Sequence, residues 1–325
     1  MDTKEILLGR TMAVPFVQEL AKKALTSVPP RYVLPDQDPP IISHNSSSTQ
    51  VPVIDMKRLL SEDFMMDSEL QKLDHACREW GFFQLINHEV SSTLIEKVKK
   101  ETEEFFKLPI EEKKKYGQKG GDVEGYGNSE ALEAYSAELK NVSGKILKLM
   151  GKNLRIMDTN EMTTMLEGRQ AMSFNYYPAC PEPEQVIGLA PHSDFSGLTI
   201  LLEVNDVQGL QIKKDEMWIP VKSLPDAFII NIGDTFEILS NGTYRSIEHR
   251  ATVNSLKERM SIATFCSPSL DGEIGPAPSL VTPETPAMFR RIGVVDYCKG
   301  LFSRKLDGKS YLDAMRIQNE EGNSN

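Results

Sequence analysis

The chain has 325 residues, enough to bury a large core as one big domain with appended elements or as two domains. Its hydrophobic content of 40% is ordinary for a globular protein. A net charge of −10 and a pI near 5.2 argue against nucleic acid as the main partner and against an anionic membrane surface. The N-terminal stretch MDTKEILLGRTMAVPF carries acidic residues and no long apolar run, so no secretory signal is expected, and no stretch approaches the length of a bilayer span. Cys77, Cys180, Cys266 and Cys298 lie far apart with no CxxC pair. They read as reduced thiols packed in the core of a cytoplasmic protein.

In chain order, residues 14–24 predict a short helix before Pro29-Pro30, and 35–50 an extended linker rich in proline and serine. Val51–Asp55 (VPVID) reads as a strand. Leu70, Leu73, Cys77 and Trp80 recur at helical spacing, and Gly81 stops that helix. FFQLIN at 82–87 is a buried strand. Residues 92–106 form an amphipathic helix, with Leu94, Ile95, Val98, Phe105 and Phe106 inward, and Pro109 opens a short one. The Lys113–Lys115 run, flanked by Glu111 and Glu112, reads as the solvated face of that short helix. Residues 130–153 predict a longer helix that turns Leu132, Tyr135, Leu139, Val142, Ile146 and Met150 inward.

From about residue 170 the period becomes strand-like. Met172–Tyr177, Leu198–Glu203, Leu210–Ile212, Met217–Val221 and Ala227–Ile232 are short β-rich runs. Asn241-Gly242 predicts a two-residue hairpin joining Phe236–Leu239 to Tyr244–Val253, and Arg259–Phe265 closes the set. The fold class expected is mainly β with flanking helices around a double-stranded β-helix, or jelly-roll, core. The divisions expected are an N-terminal α/β region at 1–128, a long helix segment at 129–168, the core at 169–270, and C-terminal helices and tail at 271–325. Residues 319–325 are expected to be disordered.

Only five histidines occur. His75 falls on the polar side of a helix, His88 at a strand end and His44 in the linker, so all three read as structural. His192 and Asp194 are two apart, on one face if the segment is a strand. His249 follows on the strand after the Asn-Gly turn. Two imidazoles and a carboxylate without thiolate can occupy one face of a divalent metal and leave the other open, the protein's share of a non-haem Fe(II) oxygenase. If the strand bearing His249 forms a hairpin with Arg259–Phe265, closed by 254–258, then His249 opposes Ala263. His249, Arg259 and Ser261 then share a face, with Arg259 roughly 13 Å along the ladder. An arginine side chain and a small diacid end to end cover that span. Three metal positions come from protein, two from a chelating 2-oxo acid, and one is left for O2. Arg259 would hold the distal carboxylate and Ser261 would donate its hydroxyl.

These residues sit within motifs that resemble the plant 2-oxoglutarate/Fe(II)-dependent dioxygenases. The motifs are VPVID, ACREWGFFQLINH (76–88), NYYPACP (175–181), IGLAPHSDFSGLTIL (187–201), GLQIKKDEMWIPV (209–221), NIGD (231–234), NGTYRSIEHRATVN (241–254) and RMSIATF (259–265). The tail RKLDGKSYLDAMRI (304–317) resembles the senescence-related subgroup that includes alkaloid O-demethylases. The resemblance implies His192, Asp194 and His249 as iron ligands and Arg259 and Ser261 as the 2-oxoglutarate anchor. It adds Asn175 and Tyr177 as co-substrate contacts, and Phe195 and Phe265 as candidate substrate-pocket walls or, equally, core packing. It implies Fe(II), 2-oxoglutarate and O2, with ascorbate as auxiliary reductant. The organic substrate would be a small plant metabolite such as an alkaloid, hydroxylated or O-demethylated by a monomer.

Two departures from the family pattern stand out. Glu89 occupies a turn position where relatives carry glycine, at a modest expected cost to stability if the turn needs a positive φ. After EGYG (124–127) the chain passes almost directly into SEALEAYSAELK, where relatives carry some thirty-odd residues including an acidic, Trp-containing segment. Its absence is expected to leave every ligand in place but to remove a strand and part of the pocket wall, exposing a sheet edge. The alternative reading is therefore a non-catalytic variant of the same fold. A zinc hydrolase has the same donor set, but it lacks an HExxH helix and leaves Arg259 unexplained.

Overall fold

Alternation with a period of two sorts the central strands of the larger sheet between a helical layer and a central cavity. The structure is a computed structural model that describes residues 16–23, 26–33, 50–62, 64–116, 129–156, 161–162, 165, 168–303 and 308–317. The linker at 35–49 with His44, the 124–127 junction and the 319–325 tail lie outside the described residues. The strands of the core are β1 (Val53–Asp55), β2 (Phe82–Ile86), β3 (Arg169–Tyr177), β4 (Ile187–His192), β5 (Leu198–Glu203), β6 (Leu210–Lys214), β7 (Met217–Pro220), β8 (Phe228–Ile232), β9 (His249–Thr252) and β10 (Arg259–Ser267). A six-stranded sheet in the order β1-β2-β8-β5-β10-β3 lies against a four-stranded sheet in the order β4-β9-β6-β7. All pairings within them are antiparallel except β1 with β2. The mainly β, jelly-roll expectation holds.

On β5, Leu198, Ile200 and Leu202 pack into the main core, whereas Thr199 and Leu201 face the cavity between the sheets. On β10, Met260 and Ile262 take the core side and Arg259, Ser261, Ala263 and Phe265 the cavity side. The helix Glu130–Asn153 covers this sheet, packing on β5 and on the helices Phe64–His75 and Ser92–Lys107. Ser129 caps it by accepting from Leu132 N at 3.1 Å, worth about 1 kcal/mol. Its buried Leu139, Ile146 and Met150 each contribute roughly 1.5–3 kcal/mol of transfer free energy. Packing, more than capping, therefore fixes this helix.

Several expectations are corrected. The Asn-Gly pair does not close a hairpin. Asp234–Leu239 is a helix, every residue of it buried, and Asn241 (φ 51°) and Gly242 (φ 77°) terminate it, with Gly242 N donating to Glu237 O at 2.8 Å. Two successive left-handed residues serve a helix end as well as a hairpin turn. The strand expected over 244–253 shortens to His249–Thr252. Nor does β9 pair with β10. It pairs with β4 and β6, while β10 pairs with β3 and β5, so the link between them crosses from one sheet to the other. His249 and Arg259 still point into one cavity, but from facing sheets. Lys113 is buried, donating to Phe106 O at 3.1 Å and to Gln18, while Lys114 and Lys115 are the solvated pair.

Other expectations match closely. The first long helix ends in a π turn, Ala76–Trp80, stopped by Gly81 at φ 61°. All four cysteines are free and buried. Strand β3 has β10 on one side and no described strand on the other. Glu89 adopts φ 66° and pairs with Lys145 at 2.6 Å. A left-handed residue with a Cβ costs about 1–2 kcal/mol, and an exposed ion pair returns at most about 1. Glu89→Gly is therefore expected to stabilise the fold by about 0.5 kcal/mol after glycine's entropy loss. A denaturation midpoint below that of the parent would mean that the Lys145 pair outweighs the strain.

Candidate metal centre and co-substrate pocket

His192 is the last residue of β4 and His249 the first of β9, and they are direct partners across that pair. The pairing shifts register on either side of Leu189, an irregularity of the kind that re-aims side chains at strand ends. The two ring centroids lie 4.3 Å apart. Each imidazole directs Nδ1 at the carbonyl two residues earlier, His192 to Ala190 O at 2.8 Å and His249 to Ile247 O at 3.1 Å. Donation there puts the proton on Nδ1 and leaves Nε2 with its lone pair toward the centre.

Asp194 is not on the strand with His192, as its spacing suggested. It lies in the bend beyond β4 and is held from the opposite sheet. Its Oδ2 accepts from Thr199 Oγ1 on β5 at 2.7 Å and from Asn231 Nδ2 on β8 at 2.8 Å. Its carbonyl accepts from Asp234 N at 2.7 Å. That leaves Oδ1 facing the imidazoles, 3.6 Å from His192 Nε2 and 3.7 Å from His249 Nε2. These separations are too long for hydrogen bonds. One atom from each of the three residues falls within 4.8 Å of the others, and a shared cation between them satisfies all three. Burial by itself would raise the Asp194 carboxyl, but the His249 and His192 imidazoles and Asn231 hold it well below the usual carboxylate range. Burial pushes His249 down, so it stays neutral and able to ligate.

A cavity of about 440 Å³ runs from this cluster between the sheets. Its inner end is polar. Arg259 is opposite Tyr177 and Ser261 opposite Asn175 on the β10–β3 ladder, and all four line the cavity. Arg259 is 2% exposed, lies over the Tyr177 ring at 5.3 Å, and donates from Nη2 to Glu203 Oε1 at 2.7 Å. Its buried Nε has no hydrogen-bond partner, an unmet donor of the kind an incoming anion satisfies. Gly209 makes room for it: a Cβ there would meet Arg259 Cδ at 2.6 Å. Phe195 and Phe265 also line the cavity, and Phe195 is at the same time stacked on Tyr297 at 5.3 Å.

Sequence reasoning missed the residues that position the cluster. Asn231 stood inside the NIGD motif and Thr199 inside LTIL, but nothing local ties either to Asp194. Glu203 was legible only as a charged residue at a strand end. The C-terminal contribution was also missed. Leu301, Phe302, Lys309 and Tyr311 line the cavity, and Gly308 forms a bridge to His192. That segment is pinned by Glu237, which binds Lys309 at 2.8 Å and Arg316 at 2.7 Å. His88 is structural as expected, buried against Phe228 with Nδ1 accepting from Val90 N at 3.2 Å.

A jelly roll with two imidazoles and a carboxylate at one end of its cavity and a buried guanidinium inside it defines a mononuclear non-haem metal oxygenase. Comparison with known proteins agrees. Residues 168–268 match the 2OG-Fe(II) oxygenase superfamily, and residues 51–146 match the non-haem dioxygenase in morphine synthesis N-terminal family. Oxoglutarate-dependent flavonoid 7-O-demethylase 1 of Ocimum basilicum is 49% identical, covering 96% of this chain and 93% of its own. Codeine O-demethylase of Papaver somniferum is 47% identical, covering 96% and 98%. Protein SRG1 of Arabidopsis thaliana is 46% identical, covering 98% and 100%. Among solved structures, JOX2 in complex with 2OG, Fe and JA superposes with a TM-score of 0.82 at 33% identity, covering 94% of this chain and 99% of that one. The chain belongs to the 2OG-Fe(II) oxygenase superfamily and is a 2-oxoglutarate-dependent dioxygenase by family. The alignment with codeine O-demethylase runs over 354 positions but takes in 96% of 325 residues, about 312, so about 40 positions have no counterpart here. No described helix is long and apolar enough to cross a membrane.

Groups that orient a metal-binding carboxylate typically contribute 10- to 100-fold in metal affinity. Asn231→Leu and Thr199→Val are each expected to weaken Mn(II) binding by about that factor. Unchanged affinity in a calorimetric titration would disconnect them from the metal.

Proposed function

We propose that His192, Asp194 and His249 hold one Fe(II), and that Arg259 and Ser261 hold the distal carboxylate of 2-oxoglutarate, with Asn175 and Tyr177 beside it. The observation that carries this reading is the division of Asp194, one oxygen bound to Thr199 and Asn231 and the other facing two imidazole nitrogens. The substrate is a small plant specialised metabolite, such as an alkaloid or a flavonoid, and the reaction is O-demethylation or hydroxylation. Support for that class comes from the demethylase relatives and from the cavity's outer lining, which includes Leu189, Phe195, Phe265, Leu301 and Phe302. Ascorbate serves as auxiliary reductant.

The iron centre, when loaded, supplies the oxidising equivalent that puts one oxygen atom of O2 into a C–H bond while the other enters succinate and CO2 leaves. The chain's own residues do the positioning. Nδ1 donation to Ala190 and Ile247 fixes both imidazoles in the ligating tautomer. Arg259 sets the depth and direction of the diacid. The apolar outer wall keeps the reacting carbon away from bulk water. Where that carbon is an O-methyl group, its hydroxylated form collapses to an alcohol and formaldehyde.

The test uses methoxylated alkaloids and flavonoids with anaerobically reconstituted enzyme. Succinate and formaldehyde are expected in equal amounts. Asp194→Ala should fall to background, and Arg259→Ala should raise the KM for 2-oxoglutarate about 30-fold, the equivalent of about 2 kcal/mol for a charge-assisted pair. Full turnover in either variant would remove the assignment.

A second reading, a non-catalytic form of the same fold, is favoured by the side of β3 that has no strand partner among the described residues and by the alignment positions with no counterpart. It predicts iron and 2-oxoglutarate binding without O2 consumption, and recovery of turnover when a family-like insert is restored after Gly127. We also place the protein in the cytoplasm, a reading supported by its four free, buried thiols, and take it to be a monomer. Light scattering is expected to give a mass near 36.5 kDa, and a dimer mass would refute the monomer.

A further inference from the structure

The guanidinium of the proposed co-substrate site is already paired with a carboxylate that lies behind it. Glu203, at the end of β5, is the direct cross-strand partner of Ser261 on β10. It shares a strand face with Thr199 and Leu201, both of which line the cavity. Its Oε1 takes a guanidinium hydrogen from Arg259 at 2.7 Å, and its buried Oε2 has no hydrogen-bond partner. We propose that Glu203 competes with the distal carboxylate of 2-oxoglutarate for Arg259, so that co-substrate binding draws a proton onto Glu203. This rests on the reading of Arg259 as the co-substrate anchor.

The argument is one of charge. With Glu203 ionised, the guanidinium is already neutralised. A second carboxylate brought beside it leaves two anions sharing one cation in a place that is almost wholly buried, an arrangement relieved when one of them takes a proton. The proton goes to Glu203 because the incoming diacid brings its charge to the donors still open, Arg259 Nε and the Ser261 hydroxyl. Neutral Glu203 can still accept from Nη2 through its carbonyl oxygen. The proton comes from solvent, no bond other than O–H forms, and nothing is oxidised.

The charged and titratable surroundings are mixed, and burial decides the direction. Arg259 on β10 is the one cation facing Glu203 among the groups that shift it. Tyr177 on β3 lies across the guanidinium. Asp206, in the loop after β5, adds negative charge. The groove that meets the other side of Glu203 is lined by Lys99 from the helix Ser92–Lys107, Lys222 and Asp226 from the segment between β7 and β8, and His88. Burial raises the Glu203 carboxyl above its ordinary value in spite of Arg259. The sign follows. Below the free-state value Glu203 is neutral and binding is tightest. As pH rises through it, a proton must be taken up on binding, and affinity falls by up to tenfold per pH unit until the bound-state value is passed.

The experiment is calorimetric titration of 2-oxoglutarate into the anaerobic Fe(II)-loaded full chain, in HEPES and in Tris, at several values between pH 6 and 8.5. The two buffers differ in ionisation enthalpy, so proton uptake is read directly and independently of turnover. The parent should take up protons on binding, in an amount that changes with pH, and lose affinity as pH rises. Glu203→Gln keeps an acceptor for Nη2 without the charge. It should take up none, bind at least tenfold more tightly at the upper end, and lose the parent's slope. Binding by the parent with no proton uptake, or a Glu203→Gln variant that keeps the slope or binds more weakly, overturns the competition and leaves the co-substrate site standing. No binding by either protein overturns both.

Discussion

The carboxylate of Asp194 is the joint on which this molecule turns. It belongs to neither sheet, yet each of its oxygens is committed to one of them. Thr199 and Asn231, from two adjacent strands of the larger sheet, take Oδ2 and so aim Oδ1 at the imidazoles of the smaller one. A buried carboxylate without partners would be costly and would protonate. With two donors behind it and two imidazoles in front, it stays ionised where a cation is needed. The backbone is tied down as well, because Asp234 at the start of a fully buried helix donates to the Asp194 carbonyl.

How far the sequence could be read depended on whether the deciding interaction was local. The helix over 130–153 was legible to its ends, because spacing and a capping serine both act within a turn or two. The clustering of His192, Asp194 and His249 was legible because few residue types can hold a divalent metal, and the structure brings Arg259 into the same cavity. The Asn-Gly pair misled because positive φ at two successive residues suits a helix terminus and a hairpin equally, and burial of all of Asp234–Leu239 decided between them. The pairing of β9 with β10 was misjudged because short connections favour hairpins, whereas here the chain changes sheets. Lys113 looked solvated by its neighbours' charge, but its ammonium is met by Gln18, 95 residues away. Of the supports of Asp194, Thr199 lies five residues on but Asn231 lies 37 residues on, and no local pattern ties the pair to one carboxylate.

The cavity is graded. On β10 and β3 it presents a guanidinium, a hydroxyl, an amide and a phenol side by side, while much of the rest of its lining is aliphatic and aromatic. In the proposed binding mode the diacid is held at both ends, its distal carboxylate at Arg259 and its other end at the metal cluster. Arg259 illustrates the cost of building this into a core. It is almost wholly buried, supported by an aromatic face and one carboxylate, and accommodated only because Gly209 has no side chain. Leaving its Nε unmet is a deficit of about 1–3 kcal/mol.

The crossing of the chain between β9 and β10 has a mechanical corollary. The imidazoles ride on one sheet and the guanidinium on the other, so the gap a co-substrate must span is set by how far apart the two layers settle, and not by a count of residues along a ladder. In the proposed binding mode a diacid of fixed length acts as a gauge of the sandwich's thickness. Core residues that touch neither metal nor ligand thereby acquire a say in which chain length is accepted, because swelling or thinning the layer between the sheets shifts the two anchoring ends relative to each other.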